Sequence, residues 1–116
     1  MKPVYRFESA SVLVSKQFSD DAGQPYVVLS TLSSEVRGKG HASGLLRLVF
    51  QEADAEGVDL LLRPGVFSIK IGETLTRDQL TAWYLRYGFE PDPEAPHPWL
   101  RRRCQAAVEI GSNIGL

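Results

Sequence analysis

Excess charge, cysteine and long apolar stretches are all scarce in this chain of 116 residues. The single cysteine, Cys104, excludes an internal disulfide. No apolar run approaches the roughly 18 residues of a membrane-spanning helix, and the N-terminus does not have the pattern of a signal peptide. The sequence therefore predicts a cytoplasmic protein without a membrane segment.

The charges of the chain are nearly balanced, because 13 basic and 14 acidic residues leave a net charge of −1. A nucleic-acid-binding domain usually carries a strongly basic surface, so the composition argues against this class. The basic run Arg101–Arg103 is a local exception, so nucleic-acid binding stays open as a less favoured function. With 43% hydrophobic residues, residues 1–116 suffice for one globular domain with a modest core.

Strand patterns occupy the first third of the chain. Apolar and polar residues alternate between Val4 and Phe18, which predicts either one interrupted strand or a short hairpin near residues 8–11. Residues 19–25 are rich in turn formers. The continuous apolar run Tyr26–Leu32 then predicts a strand at the centre of a sheet.

Two segments have clear helix signals. Apolar residues recur at helical spacing over Ala42–Glu56, and Gly57 is a typical C-terminal stop. Thr76 and Gln79 form a capping box that predicts a second helix ending at Gly88. Between the two helices, Val58–Arg63 has the composition of a short buried strand.

These elements predict a strand, a glycine-rich loop, a helix and a second, parallel strand in that order. Apolar alternation at Phe67, Ile69 and Ile71 predicts a further pairing segment, and short strands are expected at Phe89–Glu90 and Trp99–Arg101. The fold class is a single α/β (α+β) domain, with a mixed sheet flanked by helices. Ala106–Ile110 is a candidate edge strand through which a homodimer would form.

The loop before the first helix has the sequence Val36-Arg37-Gly38-Lys39-Gly40-His41-Ala42-Ser43-Gly44. Glycines allow close approach of a ligand to the backbone, and the first amides of a helix are unpaired at the positive end of its dipole, which suits phosphate. A nucleotide-hydrolase loop is excluded because no Ser or Thr follows Lys39, and a dinucleotide fold needs a longer chain. A plain tight turn into a helix remains the alternative.

The spacing Arg37-x-x-Gly40-x-Ala42 resembles the pyrophosphate loop of the GNAT superfamily of N-acetyltransferases. The later motif Trp83-Tyr84-x-x-x-Gly88-Phe89 resembles the end of a helix in the same superfamily. The resemblance extends over Tyr26–Arg101, about two thirds of the chain. It implies acetyl-CoA as co-substrate, an amine as the unidentified acceptor and no metal.

The resemblance also implies roles for individual residues. The backbone of Thr31 and Leu32 would bond the pantetheine arm, the Leu32 amide would polarise the thioester carbonyl, and Tyr84 would protonate the departing thiolate. The alternative for Tyr84 is a core position in the apolar stripe of its helix. The pyrophosphate would be bound along the loop by Arg37, Gly38, Lys39, Gly40, His41 and Ala42.

Several positions depart from the superfamily pattern or leave alternatives open. His41 replaces an apolar or small residue and is expected to contact solvent or phosphate. Arg77 replaces an asparagine and would reach a CoA phosphate or lie on the surface. Either Glu35 or Glu8 would take the proton of the amine, directly or through water.

The resemblance finally implies a short form of the fold. The strand and two helices that usually precede the central sheet have no counterpart in the roughly 25 residues before Tyr26. Because those helices build much of the acceptor pocket, a catalytically inactive acyl-CoA-binding or protein-interaction module is the alternative function.

Overall fold

A computed structural model describes residues 1–34, 39–64, 76–93 and 99–105. These residues form seven strands and two helices. In chain order they are β1 (Val4–Phe7), β2 (Ala10–Val14), β3 (Phe18–Ser19), β4 (Pro25–Ser34), α1 (His41–Glu56), β5 (Asp59–Leu62), α2 (Arg77–Arg86), β6 (Glu90–Pro91) and β7 (Leu100–Arg102).

The strands form one mixed sheet in the order β1-β2-β4-β5-β7-β6, with β3 paired to the first residues of β4. Within the described residues, β4 and β5 pair in parallel and all other strand pairs are antiparallel. The predicted fold class is therefore confirmed. The helix that follows the glycine loop connects two neighbouring parallel strands, also as predicted.

The first two strands form a hairpin, which decides between the two predictions for this segment. Phe7 pairs with Ala10, so Glu8 and Ser9 alone make the turn. Glu8 has a φ of 53°, a left-handed conformation that such two-residue turns require and that glycine adopts more readily. The sequence left the turn undecided because Ser9 is a common turn former whereas Glu8 is not.

Both helices pack on the same face of the sheet. Val12, Val27 and Leu60 point to this face and join one buried cluster with Leu45 of α1 and Tyr84 of α2. Neighbouring residues that point to the other face differ in exposure, since Leu13 is 44% exposed whereas Leu61 is buried. The core therefore lies between one face of the sheet and the two helices.

The helix ends follow the local signals in the sequence. The helix α1 begins one residue earlier than predicted, after Gly40 in a left-handed conformation (φ 72°), and ends at Gly57. At the start of α2, the Gln79 amide donates to Oγ1 of Thr76 (3.1 Å), and the Thr76 amide donates to Oε1 of Gln79 (2.9 Å). The predicted capping box is thus confirmed.

Other predictions lie wholly or partly outside the described residues. These are the pairing segment at Phe67–Ile71, the edge strand Ala106–Ile110 with its dimer contact, and three site residues, Glu35, Arg37 and Gly38. In the part of the chain that is described, neither helix is long and apolar enough to cross a membrane.

Candidate functional site

The two parallel strands separate part of the way along their length. Pairing between β4 and β5 covers Tyr26 to Val28 on β4 and Asp59 to Leu61 on β5. Beyond Val28, β4 continues to Ser34 and is paired in register with β2 on its other side. From Leu29 onward, the edge of β4 that faces β5 therefore has no described strand against it.

A β-bulge lies in the unpaired part of β4. Ser30 pairs with Leu13 and Ser33 with Ser11, so Thr31 and Leu32 together lie opposite the single residue Val12. Thr31 has a φ of 52°, which is rare for a β-branched residue and strained by about 1–2 kcal/mol. The bulge changes the direction of β4 at the two residues that the sequence assigned to the pantetheine contact.

A cavity opens where the strands separate. It measures about 200 Å³ including its open mouth, and five elements contribute to its wall. Among the described residues of the wall, Ser30 and Tyr84 have polar side chains and the others are apolar. The lining residues are Val12, Leu29, Ser30, Leu32, Leu46, Leu62 and Tyr84.

Tyr84 contributes its side chain to this cavity from α2. It is 1% exposed and packs edge-on against Trp83 and Phe89, with ring centroids 5.1 and 5.5 Å away. Burial raises the pKa of the phenol well above its ordinary value of 10.0, so the hydroxyl is protonated at neutral pH. Such a hydroxyl can donate a hydrogen bond to a ligand, although the raised pKa makes it a weaker acid than an exposed tyrosine. Tyr84 is thus a core residue that also lines the cavity.

The start of α1 has the features of an anion site that were predicted. The first hydrogen bond of the helix runs from the Gly44 amide to the Gly40 carbonyl (2.9 Å), so the amides of His41, Ala42 and Ser43 have no partner within the helix. No side chain caps this end and no acidic residue lies in the first turn. Lys39 is exposed beside it.

His41 is held by a serine that sequence reasoning did not identify. Oγ of Ser9 lies 2.7 Å from Nδ1 of His41, and the Ser9 amide donates to the same nitrogen at 3.4 Å. Because an amide only donates, Nδ1 accepts, and the proton of a neutral ring is on Nε2. The Nδ1 of His41 is therefore occupied by Ser9, and Nε2 is the nitrogen that can donate to a ligand.

Two contacts connect the first turn of α1 to its surroundings. The hydroxyls of Ser43 and Tyr87 are hydrogen-bonded, which joins the C-terminal end of α2 to the start of α1. The ring of Phe7 lies against Gly44, where a Cβ atom would come within 2.3 Å of Cε2. Gly44 is thus needed for the packing of β1 on the helix, a role that the loop motif did not reveal.

Arg77 is not brought to the start of α1. It is the first residue of α2 and is exposed, whereas the contact with α1 is made at the other end of that helix by Tyr87. The 10 residues of α2 make it about 15 Å long. Of the two roles left open for Arg77, its position agrees with a surface residue.

A buried charge network braces the paired end of the two strands. The side chain of Arg101 is 6% exposed, and its Nε donates to Oδ2 of Asp59 at 2.9 Å, while one NH2 group lies 2.8 Å from Asp20. Asp92 lies 3.6 Å away, and the guanidinium lies over the ring of Tyr26. The network connects β5, β7 and the turn before β4 at the end of the sheet where Tyr26 pairs with Asp59.

The other residues of the Arg101–Arg103 run divide between the interior and the surface. Arg102 makes a bidentate contact with Asp54 (2.9 and 3.1 Å) above the ring of Phe50, whereas the side chain of Arg103 is 64% exposed. Arg103 also lies 3.8 Å from Oδ2 of Asp59, so each guanidinium group of this run has a carboxylate of the chain within ion-pair distance.

Cys104 lies at the edge of the charge network. Burial, together with the charges of Asp59 and Asp54, raises the pKa of its thiol above the ordinary value. Such a thiol is mostly protonated at neutral pH and is a weak nucleophile.

No protein-family model matches the chain, and no curated protein matches it. Among solved structures, the chain is similar to one titled "Crystal structure of Anti-CRISPR protein AcrVA5", with a TM-score of 0.65 and 16% sequence identity. The match covers 84% of this chain and 94% of that one. At this identity the likeness shows a shared fold alone.

Proposed function

We propose that the chain is an acetyl-CoA-dependent N-acetyltransferase that transfers the acetyl group directly to a primary amine. The observation that carries the proposal is the opening between β4 and β5, which contains an apolar cavity with the protonated Tyr84 hydroxyl in its wall. The uncapped start of α1 follows β4 in the chain. A thioester with a long phosphorylated arm has the chemistry that fits both features.

In the proposed reaction, each group has one task. The amides at the start of α1, with Lys39 and the Nε2 of His41, hold the pyrophosphate, and the bulged backbone of Thr31 and Leu32 holds the arm and polarises the carbonyl. The amine nitrogen forms a bond to the carbonyl carbon as the carbon–sulfur bond breaks. Tyr84 gives its proton to the sulfur and regains one from the proton that the amine loses, which Glu35, Glu8 or water takes up and relays.

The alternative is a module with this fold that binds acyl-CoA without catalysis or that binds another protein. One observation favours it: among the described residues that line the cavity, none is a carboxylate or a histidine that could act as a general base. The anti-CRISPR name of the structural neighbour is a property of that protein.

The test combines binding with turnover. Saturating acetyl-CoA at about 100 times its Kd should stabilise the fold by about 2.7 kcal/mol, which raises Tm by roughly 10 °C in a domain of this size. If neither acetyl-CoA nor CoA changes Tm, the proposal is contradicted and the protein-interaction module is the function that remains.

Tyr84→Phe separates catalysis from binding. Without the donor hydroxyl, thiol release with a panel of primary amines should fall by about 10²-fold, while the Tm shift with acetyl-CoA remains. Tyr26→Phe is the matched control, because Tyr26 lies at the paired end of the strands, stacked on Phe18. Equal turnover in the two variants would remove Tyr84 from the mechanism.

A further inference from the structure

We propose that Leu46 of α1 determines the length of the acyl chain that the protein accepts and restricts it to two carbons. This inference rests on the proposed function and concerns the same cavity. It is specific to the side chains of this protein, since the sequence motifs involve the backbone of β4, the glycine loop and Tyr84, and none of them includes Leu46.

The position of the cavity makes it the place for the acyl group. Its wall includes Leu29, Ser30 and Leu32 of the bulged strand, which is where the thioester carbonyl would be polarised, and Tyr84, which would face the sulfur. A group attached to that carbonyl and shielded from water has this cavity available to it. The apolar wall suits a hydrocarbon chain and disfavours an acyl group with a terminal charge.

The size of the cavity limits the chain. Its enclosed part accommodates about one group of the size of a water molecule, which approximates the methyl of an acetyl group. A longer acyl group must displace wall side chains that are nearly all fully buried. Because close-packed interiors yield little, each additional methylene is expected to weaken binding by about 10-fold or more.

Leu46 is a wall residue whose truncation should enlarge the cavity and whose neighbour in the chain provides a control. It is 1% exposed, yet it is not a member of the contiguous buried cluster to which the other apolar wall residues belong. Its neighbour Leu45 is equally buried, does belong to that cluster and does not line the cavity. The two adjacent leucines therefore form a matched pair for a test.

The experiment measures the Kd of CoA, acetyl-CoA, propionyl-CoA and butyryl-CoA by calorimetry for the unaltered protein, Leu46→Ala and Leu45→Ala. Because butyryl has two methylenes more than acetyl, the unaltered protein should bind acetyl-CoA at least about 100-fold more tightly than butyryl-CoA. In Leu46→Ala this ratio should fall to about one or invert, because the freed volume admits the longer chain. In Leu45→Ala the ratio should remain while Tm falls.

An unchanged ratio in Leu46→Ala, or an equal change in Leu45→Ala, would overturn the inference. Should Leu46→Ala not fold, Leu46→Val with propionyl-CoA replaces it, and an unchanged ratio of acetyl-CoA to propionyl-CoA would be equally contradictory. Binding of free CoA to the unaltered protein distinguishes a failure of the proposed function from a failure of the role assigned to Leu46. If no CoA compound binds, the proposed function fails; if all bind and the ratios do not move, only the assignment of Leu46 fails.

Discussion

Thr31 provides a direct test of the bulge that opens the sheet. Its φ of 52° costs an L-residue about 1–2 kcal/mol, a cost that glycine does not incur. Glycine in turn loses about 0.5–1 kcal/mol through the greater freedom of its unfolded chain. Because the Thr31 side chain is exposed, a substitution there loses little packing. Thr31→Gly should therefore be more stable than Thr31→Ala by about 0.5–1 kcal/mol.

A matched pair of variants at Arg6 should show the opposite order of stability between glycine and alanine. Arg6 is an exposed strand residue of β1 and is not among the residues with positive φ. There the alanine variant should be more stable than the glycine variant by about 0.5–1 kcal/mol. Urea denaturation of the four variants measures both differences, and calorimetry should show a Tm difference of roughly 3–5 °C in each pair.

Within each pair, both variants lose the same native side chain, threonine or arginine. The sign of the stability difference between alanine and glycine is therefore independent of that loss. If alanine is more stable than glycine at both positions, Thr31 does not adopt a left-handed conformation in solution. The strand β4 would then have no bulge at Thr31 and Leu32, and the structural basis of the opening beside Leu29 would be removed.

Two further predictions concern the polar contacts. Burial opposes ionisation of the Asp54 carboxyl, but the hydrogen bond and the charge of Arg102 outweigh burial and lower its pKa. The pair therefore stabilises the fold above pH 3.8, and this stabilisation is lost as the pH falls below that value. In urea titrations, the difference in unfolding free energy between the unaltered protein and Asp54→Asn should narrow from pH 7 to pH 3, and a constant difference would contradict this account. Ser9→Ala should raise the Kd of acetyl-CoA several-fold by releasing His41, and His41→Gln should do the same; an effect of Ser9→Ala in the His41→Gln background would show that Ser9 acts by another route.

Local signals made the helices and the start of the candidate site predictable. The capping box of Thr76 and Gln79 and the glycines that flank α1 act within one helical turn, so their effect on the backbone can be seen in the sequence. The positions of Lys39, Gly40, His41 and Ala42 at the start of α1 follow from the same signals. Arg77 shows the limit, because the orientation of α2 relative to α1 is not a local property.

Contacts between distant residues had no sequence signal. Ser9 and His41 are 32 residues apart, and Asp59 and Arg101 are 42 apart. Neither pair forms a motif, and the run Arg101–Arg103 looked like a surface charge cluster until its partners were known. Thr31 was assigned to the site only through the resemblance, since a threonine within an apolar run predicts ordinary extended backbone.

Periodicity, capping and glycine conformation act over a few residues. The sequence was therefore enough to predict the order of the strands and helices and the parallel pair on either side of the glycine loop. Where β4 and β5 separate, which side chains enclose the cavity and which arginines are buried depend instead on the register of β2 against β4 and on packing between elements that are far apart in the chain. Such contacts have no local signal, so the shape and size of the cavity could not be predicted from the sequence.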